Sequence, residues 1–471
     1  MWAAFLLLAV YQAGGLPLAR KAPIPEQIHL ALGDRAGEWR VHWVTMQPVA
    51  DGEAEVQFGT QKNALNRRSA ARTVVFECDG VTRFMHTAVM RDLPPSTPHS
   101  MNGTLEGDLG VDNGVSLVHL QRAAERGEFD LVIHVGDLAY DLHKENGTIG
   151  DIFMNSIQPI ATRVPYMVIA GMCTRNHEEY KNFTHYRHRF PSPPNDAFGD
   201  SQSYSFDLGP VHFIGLSTEY YGFFYEYGKH TVKRQDEWLR ADLERANSNR
   251  KERPFIIAYM HRPFHCSNTN SFESARDSKD MPGLEEHFVR YGVDIGFQGH
   301  EHSHTPHAGF NEETPTPGSA SRSTDYGYTL MHVLNRTTIY VEQISIEQNL
   351  KPIDSFWLIK DAPHSSPSKR SIQHPFVPFP PMIESQECRL EDPRCRIKFW
   401  LGFEMKRAAE THGPSERAGF MLAPLTEPSP KMQSVREKPI ASGASVFPWS
   451  MALFTMTKVR MAVRIVSAIS P

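Results

Sequence analysis

The chain is poor in cysteine. Cys78, Cys173, Cys266, Cys388 and Cys395 are an odd set of five with no CxxC spacing among them. They cannot all pair within the chain, and they support neither a zinc-finger nor a thiol-enzyme reading. Excess charge is scarce too. The net charge is -5 over 471 residues, without the clustered Lys and Arg that a nucleic-acid surface requires, so no nucleic-acid partner is expected. Long apolar runs are also missing. The stretch at 446–456 is soon broken by Lys458, Arg460 and Arg464, which argues against a membrane span. No internal repeat is visible.

What remains is the composition of a soluble globular protein, 40% hydrophobic and 22% charged, long enough for two or three domains. A run of about nine apolar residues near the N-terminus, followed by small ones, has the length of a signal-peptide core, and residues 1–22 are read as one. Sequons at Asn102, Asn146, Asn182 and Asn335 are candidate glycosylation sites and fit the same route. The expected location is secreted or lysosomal.

Residues 23–99 read as a small all-β domain. Short alternating strands at 27–30, 39–45, 54–58 and 72–76 are separated by turn residues, as in a β-sandwich. Residues 105–360 read as α/β. Apolar strand runs at 129–135, 166–170, 211–216, 255–260 and 293–297 alternate with amphipathic stretches at 115–126, 150–162, 232–249 and 283–291. Two last strands are expected at 328–334 and 338–343. Residues 361–471, rich in Pro, Ser, Lys and Arg without a sustained period, are expected to be disordered.

Five motifs follow one another near the predicted strand ends: Gly107-Asp-Leu-Gly110, Gly136-Asp-Leu-Ala-Tyr140, Asn176-His-Glu178, the His261 that closes an apolar strand, and Gly299-His-Glu-His302. Taken singly, each has a bland explanation as a turn, a surface loop or a core tyrosine. In order, they supply carboxylates, a phenol, an amide oxygen and imidazoles, a donor set that suits two neighbouring cations better than one. A carboxylate such as Asp137 has two oxygens and can bridge ions roughly 3.5–4 Å apart. A phenol ligand implies a hard, strongly Lewis-acidic ion such as Fe(III), because a group of pKa about 10 must lose its proton to bind. His300 and His302, two apart on extended backbone, share a side of the chain.

This ordered set resembles the purple acid phosphatase pattern GDxG, GDxxY, GNH, VxxH and GHxH, within the calcineurin-like metallophosphoesterase superfamily. Residues 131–140 and 177–183, Gln235-Asp-Glu-Trp-Leu239 and His261-Arg-Pro263 are similar to the animal iron/zinc, type 7-like members. The resemblance spans roughly residues 22–360. It implies a metallophosphoesterase β-sandwich core flanked by helices (αββα), preceded by a fibronectin III-like domain. It implies Asp108, Asp137, Tyr140 and His302 on a ferric ion, and Asp137, Asn176, His261 and His300 on a divalent ion, zinc or iron. His177 would stand beside the substrate phosphate, and a metal-bound hydroxide would attack small phosphate monoesters in acid. The alternatives are another metallophosphoesterase, such as a nucleotidase, which Tyr140 disfavours, and a catalytically impaired splice or gene-model variant acting as a binding or structural protein.

Three departures set further expectations. The stretch before Gly107 is polar and reads as lacking a strand, which would leave Asp108 poorly placed. Four residues, 172–175, interrupt the Gly-Asn-His motif between Gly171 and Asn176. The segment from 305 to about 324 stands where the family has a longer one that includes another core strand. Oligomeric state is not legible.

Overall fold

The computed structural model describes residues 23–93, 101–171, 183–263, 283–300, 323–360, 370–373, 400–402 and 462–467, apart from positions 34, 36, 51, 60–64, 79 and 324. The all-β unit comes first, built from β1 (Glu26–Leu32), β2 (Trp39–Thr45), β3 (Ala54–Gly59), β4 (Arg67–Cys78) and β5 (Val81–Met90). β4 links two antiparallel ladders. Its start pairs with β3, as in Glu55 opposite Ala70, and its remainder with β5, as in Ala71 opposite Ala88. Trp43, Val41, Val56, Phe58 and Ala88 are buried between them.

The second unit contains β6 (Met101–Glu106), α1 (Leu117–Arg126), β7 (Leu131–His134), α2 (Thr148–Ala161), β8 (Tyr166–Val168), α3 (Thr184–Arg189), β9 (Tyr204–Leu208), β10 (Val211–Leu216), α4 (Glu219–Gly222), α5 (Phe224–Tyr227), α6 (Lys229–Ser248), β11 (Phe255–Met260), α7 (Glu285–Tyr291), β12 (Ile295–Gln298), β13 (Gly327–Val333), β14 (Thr338–Ser345) and β15 (Lys351–Lys360). One sheet runs β15-β14-β13-β6-β7-β8, with β6, β7 and β8 parallel. The other runs β12-β11-β10-β9, with β10, β11 and β12 parallel. Leu105, Ile133 and Val341 of the first sheet and Phe213, Ile257 and Phe297 of the second belong to one buried cluster between the sheets.

Every residue of β10 and β11 is buried, as expected for continuous apolar strands covered on both faces. α6 shows the complementary pattern. It buries Val232, Gln235, Leu239, Leu243 and Ala246 at intervals of three and four, a single stripe laid towards the sheet. Together these layers give a β-sandwich core flanked by helices, preceded by an all-β unit.

The polar stretch before Gly107 forms β6 in the middle of its sheet, between β13 and β7. This corrects the expectation that no strand precedes Asp108. Met101 and Leu105 face the inter-sheet core, while Thr104 and Glu106 find polar partners far away in the chain. Thr104 Oγ1 donates to the Thr329 carbonyl at 3.2 Å, and Tyr166 Oη donates to Glu106 Oε1 at 2.9 Å. These bonds offset the burial of Thr104 and of one Glu106 oxygen, while Glu106 Oε2 is buried without a hydrogen bond.

A buried ionic seam joins the two units. Arg83 of β5 reaches Asp151 of α2 through Nε and Nη2, at 2.9 and 2.7 Å to its two oxygens. Arg189 of α3 donates to Asp151 Oδ1 at 2.9 Å, and Gln27 of β1 to the same oxygen at 3.0 Å. Of the expected tail, 361–471, the described residues are the short strands β16 (Arg370–Gln373), β17 (Trp400–Gly402) and β18 (Ala462–Ser467), paired with β15, β12 and β3. Residues 1–22 lie outside the described residues.

Candidate metal centre

The strand ends decide where the chemistry lies. Asp108 follows β6, Asp137 and Tyr140 follow β7, His261 follows β11, and His300 follows β12. All four strands are parallel members of their sheets, and ligands gather where the carboxyl ends of such strands open into loops. Backbone bonds stitch those loops together. Asp108 N donates to the Gly136 carbonyl at 3.1 Å, Ala139 N to the Leu109 carbonyl at 3.0 Å, and Gly299 N to the His261 carbonyl at 2.9 Å.

Five of the candidate residues meet. Tyr140 Oη donates to Asp108 Oδ1 at 2.9 Å, while Asp108 Oδ2 accepts the His300 backbone N–H at 3.1 Å. His261 Nε2 lies 3.2 Å from Asp137 Oδ1, and the His261 and His300 rings are 5.0 Å apart, edge to face. One ligand atom from each of Asp137, His261 and His300 lies within 4.8 Å of the others. Asp108 and Asp137 are buried, at 0% and 1% exposure. The worry that Asp108 would be poorly placed is not borne out, because β6 delivers it to the centre.

The backbone is strained at four of these five residues. Asp108, Asp137, Tyr140 and His300 have φ of +57°, +49°, +47° and +75°, a region that non-glycine residues rarely occupy and that costs on the order of 1–3 kcal/mol per residue. Gly136 shows why the motif needs a glycine. Its φ is +100°, and a Cβ there would strike the His261 imidazole.

His261 fits a cation ligand. Its Nδ1 meets the Val135 carbonyl at 2.9 Å; a carbonyl only accepts, so Nδ1 carries the hydrogen. That leaves Nε2 turned to Asp137, buried and without a well-formed hydrogen bond of its own. Imidazoles that bind metal are commonly anchored this way through the far nitrogen. Burial alone would depress this imidazole, but Asp137 and Asp108, helped by Glu219, push it up to about 10. A cation bound among these groups would take the place of that proton.

Asn176, His177 and His302, together with residues 172–175, lie outside the described residues, as does Asn182. Asn146 and Asn335 are exposed. Asn102 lies within β6, where His332 Nδ1 is 3.1 Å from its side-chain oxygen. Sequence reasoning gave no role to Asn113, whose amide donates to the Asp108 carbonyl at 3.1 Å, or to Arg262, whose Nη1 is 3.2 Å from His300 Nε2.

Comparison with known proteins agrees with this architecture. Residues 25–99 match the purple acid phosphatase N-terminal domain, 107–304 the calcineurin-like phosphoesterases, and 295–355 the iron/zinc purple acid phosphatase-like C-terminal family. The chain is 35% identical over 435 residues to acid phosphatase type 7 of Homo sapiens, an alignment covering 76% of this chain and 96% of that protein. It is likewise 35% identical over 417 residues to acid phosphatase type 7 of Danio rerio, covering 72% and 91%. The solved structure of purple acid phosphatase PPD1 from yellow lupin seeds superposes with a TM-score of 0.58 at 19% identity, covering 72% of this chain and 75% of that one, a likeness of fold.

Proposed function

Because this chain belongs to the purple acid phosphatase family, we propose that it hydrolyses small phosphate monoesters at a two-cation centre, in acid. The observation that carries this reading is the convergence of Asp108, Asp137, Tyr140, His261 and His300 at the ends of four parallel strands. Two cations held there would supply Lewis acidity, polarising a phosphate oxygen and lowering the pKa of water to about 7.

The chain's own residues divide the work. Asp137, with two carboxylate oxygens, would serve both cations. Asp108 and Tyr140 offer hard oxygen donors that, with the imidazole the sequence supplies at His302, would suit Fe(III). Their hydrogen bond at 2.9 Å holds a proton that such an ion would replace. His261 and His300, with Asn176 as the family pattern implies, would complete the divalent position, zinc or iron. His177 orients the phosphate and carries a proton for the leaving group, a role that suits acid, where imidazole is charged. The signal-peptide reading of residues 1–22 and the exposed sequons at Asn146 and Asn335 favour a secreted or lysosomal enzyme.

Tyr140→Phe tests the iron assignment. The iron-loaded wild-type protein should show a broad visible tyrosinate band that the variant loses, with p-nitrophenyl phosphate hydrolysis retained within about tenfold. A band that persists in the variant would remove Tyr140 from the ferric site.

A further inference from the structure

Arg262 follows the candidate ligand His261, yet its side chain is turned away from solvent, at 2% exposure. Three neighbours fix it. Glu219, fully buried at the start of α4, holds Nε with its two carboxylate oxygens at 3.0 and 3.1 Å. The Phe223 ring lies 4.8 Å from Cζ. Gly222 leaves the gap the side chain occupies, since a Cβ there would come within 2.6 Å of Nε. The Arg262 backbone is pinned as well, its N–H donating to Thr218 Oγ1 at 2.6 Å.

With Nε clamped in this way, Nη1 stands 3.2 Å from His300 Nε2. Guanidinium nitrogens only donate, and they keep their protons at any pH the fold survives. His300 Nε2 is therefore the acceptor, and the ring hydrogen sits on Nδ1. A neutral imidazole has one lone pair to give. The contrast with His261 is direct. The Val135 carbonyl accepts from that ring and leaves its lone pair to a cation, whereas Arg262 donates to His300 and takes the lone pair a cation would need.

We infer that Arg262 is a positioning residue that competes with the divalent cation for His300 and so sets how tightly that cation is held. The inference rests on the metal-centre reading above. Arg262 keeps the His300 ring in place beside Asp108 and His261, at the cost of affinity, so cation uptake requires the Arg262–His300 bond to open.

The test is Zn2+ titration of the full chain by calorimetry at fixed pH, after chelator treatment. Arg262→Met is combined with Glu219→Gln so that no buried charge is left alone. The double variant should bind Zn2+ roughly tenfold more tightly than wild type, the lower end of the range over which groups beside a ligand shift metal affinity. Should that variant fail to fold, Arg262→Lys, which keeps a cation beside Glu219 but lacks the fork needed to hold both partners, should shift affinity in the same direction. Unchanged or weaker Zn2+ binding in the folded variants overturns the inference alone. No Zn2+ uptake by the wild-type chain overturns the metal-centre reading and the inference with it.

Discussion

Asp137→Asn should lower kcat/KM for p-nitrophenyl phosphate by roughly three orders of magnitude, the scale on which losing one electrostatic stabiliser of a transition state acts. The substitution is nearly isosteric, so the fold has no reason to change. What it removes is the charge proposed to serve two cations and, within the protein, the main partner of His261. Burial opposes charge on that imidazole, and Asp137 does most to hold it up at about 10. Without the carboxylate, the ring loses its counter-charge and, on the proposed reading, its co-ligand. Two readouts belong together: metal per chain should fall, while the unfolding temperature stays within a few degrees of wild type. A variant that kept its metal and its turnover within tenfold would show that Asp137 does not bridge.

The second large effect concerns stability. Asp151→Leu should destabilise the protein by about 3–5 kcal/mol, because it strands two arginine side chains that have no solvent exposure, those of Arg83 and Arg189. Thermal unfolding should show a fall of roughly 5–15 °C. Replacing Arg83 and Arg189 by methionine in the same chain should recover most of the loss, since apolar replacements of a buried ionic cluster are often tolerated.

The sign of the pH dependence follows from Asp151 itself. Burial would raise its carboxyl, but the hydrogen bonds and charges of Arg83 and Arg189 outweigh burial and hold it below the ordinary range. The unfolded chain therefore takes up the proton first as pH falls. The seam's contribution is complete above the unfolded carboxylate value of about 3.9 and is lost as pH falls through the lower folded value. Wild-type protein should keep this part of its stability at pH 5, and a seam that weakened well above pH 4 would contradict the assignment.

These results separate what was legible in the sequence from what was not. Apolar strands buried on both faces were read with their observed ends, at 211–216 and 255–260. The five motif residues among the described ones were legible because their order along the chain matched the order of strand ends, a pattern that isolated Gly-Asp or His-Glu-His pairs do not carry. β6 was missed because Asn102, Thr104 and Glu106 look like loop residues. What makes them strand residues is supplied by His332, Thr329 and Tyr166, between 60 and 230 positions away. β5 was missed as well. Its Arg83 points inward to Asp151, 68 positions on, and no local pattern announces a buried arginine. Arg262 was visible beside His261, but its meaning comes from Glu219, 43 positions back. Propensity and periodicity report local burial; they do not report which distant group satisfies a buried polar atom.

Everything proposed for the chemistry depends on these strand ends holding a working two-cation centre. The most direct test is metal analysis of the purified protein, together with its visible spectrum and its hydrolysis of p-nitrophenyl phosphate at acid pH, before and after treatment with a chelator. About two metal ions per chain are expected, with a broad tyrosinate band and acid turnover that disappears with the metals and returns when they are restored. Fewer than one metal per chain with no turnover would contradict the proposal and leave a protein that keeps the family's motifs without a working site.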